Sequence, residues 1–104
     1  MRQFAFAAAL IFAAAPSTLA QTADPARAEA GEQIYETYCV ACHGEKLRNS
    51  GQSFDLRGLK GEERERFDKA VRNGRGQMPP WLGVLSDEEI DQVWHFIRAN
   101  AFDK

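Results

Sequence analysis

Cys39-Val40-Ala41-Cys42-His43 is the stretch of this 104-residue chain whose residue types and spacing point most directly to one chemistry. Two thiols three positions apart lie near one another at a helix end, so both can form thioethers to the two vinyl groups of one haem. The adjacent imidazole is then delivered to the iron. Cys39 and Cys42 are therefore read as the attachment points of one covalent haem c, and His43 as its proximal ligand. A bare Cys-x-x-Cys also suits a redox dithiol, half a zinc site or a local disulfide. The chain holds no second cysteine pair to complete a four-ligand zinc site and no βαβ pattern to house a thioredoxin-like dithiol.

The second axial position decides between chemistries, because a closed iron site transfers electrons whereas an open one binds gases or peroxide. Met78 lies 35 residues after His43, between Gly76 and Pro79-Pro80, which would fix its sulfur in place. The alternative for Met78 is a core-filling side chain. His95 sits about 140° from Ile90 around the final helix and reads as a surface histidine. Arg57 could fork onto a haem propionate or simply be solvated. Trp81 is a candidate to cover a haem edge.

The elements that must position these groups read as helical. Asp24-Pro25 forms an N-cap followed by proline at the first helical position, opening a helix to about Cys39 with Gly31, Ile34, Tyr35 and Tyr38 on one face. Residues 44–60 are rich in glycine and aperiodic, hence loop; besides Leu47 their large apolar residues are Phe54, Leu56 and Leu59, which are expected to line a cofactor pocket. Glu62 to Arg72 is a short amphipathic helix stopped by Asn73-Gly74, and Gly74 to Trp81 is a constrained loop. Ser86 and Glu89 make a capping box for a last helix with the stripe Ile90, Val93, Trp94 and Ile97. Trp94 is expected to pack against the Gly31/Tyr35 face of the first helix. Three main helices, loops and no strand signal predict an all-α domain.

Arg2, the 12-residue apolar run Phe4 to Ala15, Pro16-Ser17 and the small-residue ending Thr18-Leu19-Ala20 read as an export signal cleaved after Ala20. The alternatives are an uncleaved anchor or a core helix, although a permanent span needs about 20 apolar residues. The expected organisation is a signal peptide over 1–20, a flexible leader over 21–25 and one domain over 26–104. The mature product is expected to be periplasmic, with no membrane span. So small a domain has a thin core, which a large planar cofactor would supplement. The formal charge is −2 and becomes −3 without Arg2, which argues against a nucleic-acid partner. That sign suits docking to a basic patch on a redox partner.

Over nearly all of residues 26–100 the sequence resembles the small class I cytochromes c. Gly31 and Tyr35 are similar to that family's Gly-x-x-x-aromatic, Cys39 to His43 to its haem motif, Gln77-Met78-Pro79-Pro80 to its axial-methionine loop, and Trp94 to the aromatic of its last helix. The resemblance implies first and last helices crossing in contact around one covalent haem whose edge is exposed. It also implies an electron carrier rather than an enzyme. Phe54-Asp55-Leu56-Arg57, followed by the methionine loop, is similar to the cytochrome domains of quinohaemoprotein alcohol dehydrogenases, with Phe54 where those usually have proline. It implies a pyrroloquinoline-quinone-dependent dehydrogenase as donor and a terminal oxidase or another cytochrome as acceptor. Two other functions remain open: a haem peroxidase or gas sensor with an open iron site, and a cytochrome subunit of a larger dehydrogenase complex.

Overall fold

The structure is a computed structural model that describes residues 23–49, 51 and 53–103. The expected signal peptide and the start of the leader, residues 21 and 22, lie outside the described residues.

Asp24 sits in extended backbone and its carboxylate accepts the N–H groups of Ala26 at 2.9 Å and Arg27 at 3.4 Å, which starts helix α1 (Pro25–Tyr38). Proline at the first position needs no amide there. The helix breaks at Cys39, whose N–H still reaches the Tyr35 carbonyl at 2.8 Å, and a short helix α2 (Val40–His43) follows. Gly44 ends it with a left-handed φ of 89°. The haem motif thus straddles a break between two helices.

The stretch expected to be irregular contains two single turns of 3-10 helix, Glu45–Leu47 and Leu56–Gly58, and a third, Gly61–Glu63, follows it. Helix α3 (Arg64–Asn73) begins later than the expected Glu62 because the last of these turns forms first, closed by the Lys60 N–H donating to the Glu63 carboxylate at 2.9 Å. Helix α4 (Asp87–Ala99) carries the expected capping box: the Ser86 N–H donates to Glu89 Oε1 at 2.8 Å and the Glu89 N–H to Ser86 Oγ at 3.1 Å. The described residues contain no strand, only the isolated bridges Arg75–Met78 and Leu82–Leu85. No helix among them is long and apolar enough to cross a membrane.

Helices α1 and α4 make the most extensive contact in the fold. Gly31 permits it, since a Cβ there would stand 1.9 Å from the Gln92 carbonyl oxygen. The expected stripe of Ile90, Val93, Trp94 and Ile97 is buried throughout. The ring that meets Tyr35 is Phe96, at 5.2 Å between centroids, whereas Trp94 packs on Phe67 of α3 at 5.2 Å. Asp91 ties three helices together through Arg27 at 2.8 Å and Arg64 at 2.9 Å.

His95 departs from its expected place on the surface. Its Nδ1 accepts the Asp24 N–H at 2.9 Å, its Nε2 lies 3.6 Å from Asp91, and its side chain is only 16% exposed. The chain entering α1 passes over the flank of α4 that helical periodicity had assigned to solvent.

Candidate functional site

A cavity of about 620 Å³ opens between the helix break at Cys39, the 53–59 segment, α3, the 75–81 loop and α4. Cys39, Cys42, His43 and Met78 all line it, so the fold brings together the four residues singled out by type and spacing. Its walls are mainly apolar: Phe54, Leu56 and Leu59 from the irregular segment, Phe67 and Val71 from α3, and Ile90, Val93 and Ile97 from α4. Phe54, Leu56 and Leu59 thus stand where they were expected, while Leu47 is buried in the core away from the cavity.

The helix break exposes the two thiols unequally. Cys39 is half-buried and Cys42 exposed, and neither is in a disulfide. Burial, and then the neighbouring Cys42, push the Cys39 thiol up to about 11. A redox dithiol needs the opposite, a thiol whose pKa is depressed by local positive potential. Among the described residues no three His, Cys, Asp or Glu side chains gather into a metal-holding group.

Proton placement around His43 follows from its neighbours. Ser53 Oγ donates to the Cys42 carbonyl at 2.9 Å, which uses its one proton. Facing His43 Nδ1 at 3.2 Å, the same oxygen must then accept, so Nδ1 carries the hydrogen and Nε2 keeps its lone pair. Burial lowers the imidazole's pKa, opposed by a backbone hydrogen bond with Phe54, which favours the neutral, ligating form. Asn49 steadies this arrangement by donating from its side-chain amide to the Ser53 carbonyl.

Met78 is held by its backbone. Its N–H donates to the Arg75 carbonyl at 2.9 Å and its carbonyl accepts the Arg75 N–H at 3.0 Å, closing a tight turn over Gly76 and Gln77. Gly74, with φ at 80°, lies so close that a Cβ would meet the Met78 carbonyl at 2.7 Å. On the other side the Trp81 N–H donates to the Val71 carbonyl at 2.8 Å, fastening the loop to α3. Trp81 lines the cavity, with its ring edge-on to Tyr38 at 5.3 Å.

Arg57 is not at the cavity. It forks onto Asp55, with Nε at 3.1 Å and Nη2 at 2.9 Å, and its guanidinium lies 4.8 Å from the Phe102 ring. The arginines that do line the cavity are Arg66 and Arg75, and no carboxylate among the described residues lines it, although acids outnumber bases in the chain by 15 to 13. An apolar cleft whose ionic groups are cationic fits haem, a large apolar plate with two carboxylates at one edge. Arg66, Arg75 and Ser53 escaped the sequence reading. The one available signal was the position of Arg75 within the same punctuated loop as Met78.

Comparison with known proteins gives concordant similarities. A family described as cytochrome c oxidase, cbb3-type, subunit III, matches residues 26–97. The chain is 32% identical over 90 residues to quinohemoprotein alcohol dehydrogenase ADH-IIG of Pseudomonas putida, a match covering 85% of this chain and 12% of that protein. It is 32% identical over 80 residues to cytochrome c6 of Euglena viridis, covering 68% of this chain and 90% of the relative. With cytochrome c-551 of Bacillus subtilis it shares 38% identity over 65 residues, 62% of this chain and 55% of the relative. The solved structure of ADHIIG from Pseudomonas putida HK5 superposes with a TM-score of 0.68 at 28% identity, over 94% of this chain and 15% of that one. The chain thus spans only 12% of the length of the quinohemoprotein relatives.

Proposed function

The chain belongs to the c-type cytochromes, a family of electron carriers that hold haem c covalently, and from that premise we propose that it shuttles single electrons between redox proteins outside the cytoplasm. In this reading Cys39 and Cys42 would form the thioethers, and His43, through Nε2, and Met78 would be the iron's protein ligands. When bound, the haem supplies a one-electron ferric/ferrous couple, which the histidine–methionine pair places at a raised potential. His43 contributes a neutral imidazole whose tautomer Ser53 sets. Met78, on a pinned turn, would contribute a thioether and so would keep gases and peroxide off the iron. The apolar walls from α3 and α4 keep water from most of the plate.

The observation that carries the proposal is that Met78 and the Cys39–His43 motif line one cavity. The same observation favours a carrier over a haem peroxidase or gas sensor, which needs an open iron position. Arg2 and the apolar run to Ala15 support export to the periplasm through a signal peptide cleaved after Ala20. Similarity to quinohemoprotein alcohol dehydrogenases supports a pyrroloquinoline-quinone-dependent dehydrogenase as donor, either in passing or as a stable complex, with an oxidase or second cytochrome as acceptor. The test is anaerobic mixing of the oxidised protein with such a dehydrogenase reduced by its alcohol. Rapid appearance of the ferrous spectrum is expected, and reduction no faster than with alcohol alone removes that donor.

A further inference from the structure

We infer that Arg75 holds a haem propionate, so that the turn presenting the axial sulfur also presents the charge that balances the haem's carboxylate edge. This rests on the proposed haem attachment and ligation. Two guanidinium groups line the cavity. Arg66 is already engaged: its Nη1 donates to Glu63 at 3.1 Å and its guanidinium lies 4.7 Å from the Phe54 ring. Arg75 has no carboxylate partner among the described residues, whereas Arg27, Arg57, Arg64, Arg72 and Arg98 each have one.

Its backbone leaves little freedom. The paired hydrogen bonds with Met78, and Gly74 packed beneath the Met78 carbonyl, fix where the Arg75 side chain starts. An arginine anchored beside a mainly apolar cleft whose described lining holds no acid matches one chemical class of group: a carboxylate belonging to the occupant, bound through a bidentate fork.

The electrostatic consequence has a definite sign. Reduction removes one positive charge from the haem, so a nearby cation favours the ferrous form and raises the potential. Removing Arg75 leaves a propionate uncompensated and lowers it.

The experiment compares the haem-loaded wild type with Arg75→Gln, Arg75→Lys, Arg66→Gln and Arg48→Gln by redox titration at neutral pH. The weak red absorption of thioether-ligated ferric haem is followed in each. Arg48 is an exposed arginine away from the cavity and serves as the control for a distant charge. Arg75→Gln is expected to lower the potential more than either of the other glutamine variants while keeping the thioether band, and Arg75→Lys to recover part of the loss. A shift at Arg75 no larger than at Arg48 overturns the inference. So does a crystal structure of the loaded protein with the Arg75 guanidinium out of hydrogen-bond reach of both propionates, a measurement that needs no variant to fold. A wild type lacking haem or the thioether band defeats the proposed function instead, and is read separately.

Discussion

The Tyr35 hydroxyl donates to the Gly44 carbonyl at 2.5 Å, joining the middle of α1 to the residue that follows His43. Tyr35 is fully buried and packs on Phe96 of α4, so the helix crossing and the end of the haem motif share one side chain. Packing between the terminal helices is thereby coupled to where His43 stands.

Tyr35→Phe removes that bond and is expected to cost about 1 kcal/mol of unfolding free energy. It also changes the alkaline limb of stability. Burial, helped by the nearby Cys39, pushes the phenol up to about 12 from 10.0. Between those values the unfolded tyrosine loses its proton while the folded one keeps it, so stability falls as pH rises through the window. Denaturant unfolding across it should show a shallower decline in Tyr35→Phe than in wild type. Parallel declines would mean that Tyr35 is not the group responsible. A thioether at Cys39 cannot ionise, so in the loaded protein burial, with the smaller contributions of the Glu36 and Asp55 carboxylates, sustains the effect.

Gly31→Ala tests the helix crossing. A methyl 1.9 Å from the Gln92 carbonyl forces α1 and α4 apart, because the obstacle is backbone and cannot rotate away. The expected loss is about 3 kcal/mol, read as a lower denaturant midpoint with the haem still attached. An unchanged midpoint would mean that the helices do not approach so closely.

Met78→Ala should remove the thioether band, lower the reduction potential and let the ferrous protein bind carbon monoxide, which the wild type is expected to resist. If the spectrum and potential of the variant match wild type, the sixth ligand lies elsewhere.

Ser53→Ala removes an acceptor from His43 Nδ1. The imidazole then donates less electron density to iron, so the potential is expected to rise, opposite to the change at Arg75. Stability should fall by about 1 kcal/mol. Redox titration and the proximal imidazole's proton resonances check it, and a potential that is unchanged or falls would assign the tautomer to the Phe54 backbone instead.

The readable parts of the site were those encoded locally. The Cys39–His43 motif, the Met78 loop and the Ser86/Glu89 cap each occupy a few consecutive residues whose chemistry needs no tertiary information. Helix α2 escaped because four residues carry no period. Phe96 lies about 200° around α4 from Trp94, so no single stripe contains both. That helix is buried on two sides, with Phe96 toward α1 and Trp94 toward α3. The difference between Arg57 and Arg75 depends on the path of a glycine-rich loop, which composition does not specify: Asp55, two residues away, captures Arg57. His95 was misplaced because helical angle says which flank it occupies but not what crosses that flank.

The central claim is most directly tested by expressing the full chain with a c-type haem maturation system and measuring the intact mass of the exported product alongside its redox titration. The account predicts the mass of the polypeptide cleaved after Ala20 plus one haem, retained under denaturing conditions, and a single one-electron wave. A colourless product with the thiols of Cys39 and Cys42 free, or joined to each other, would contradict it.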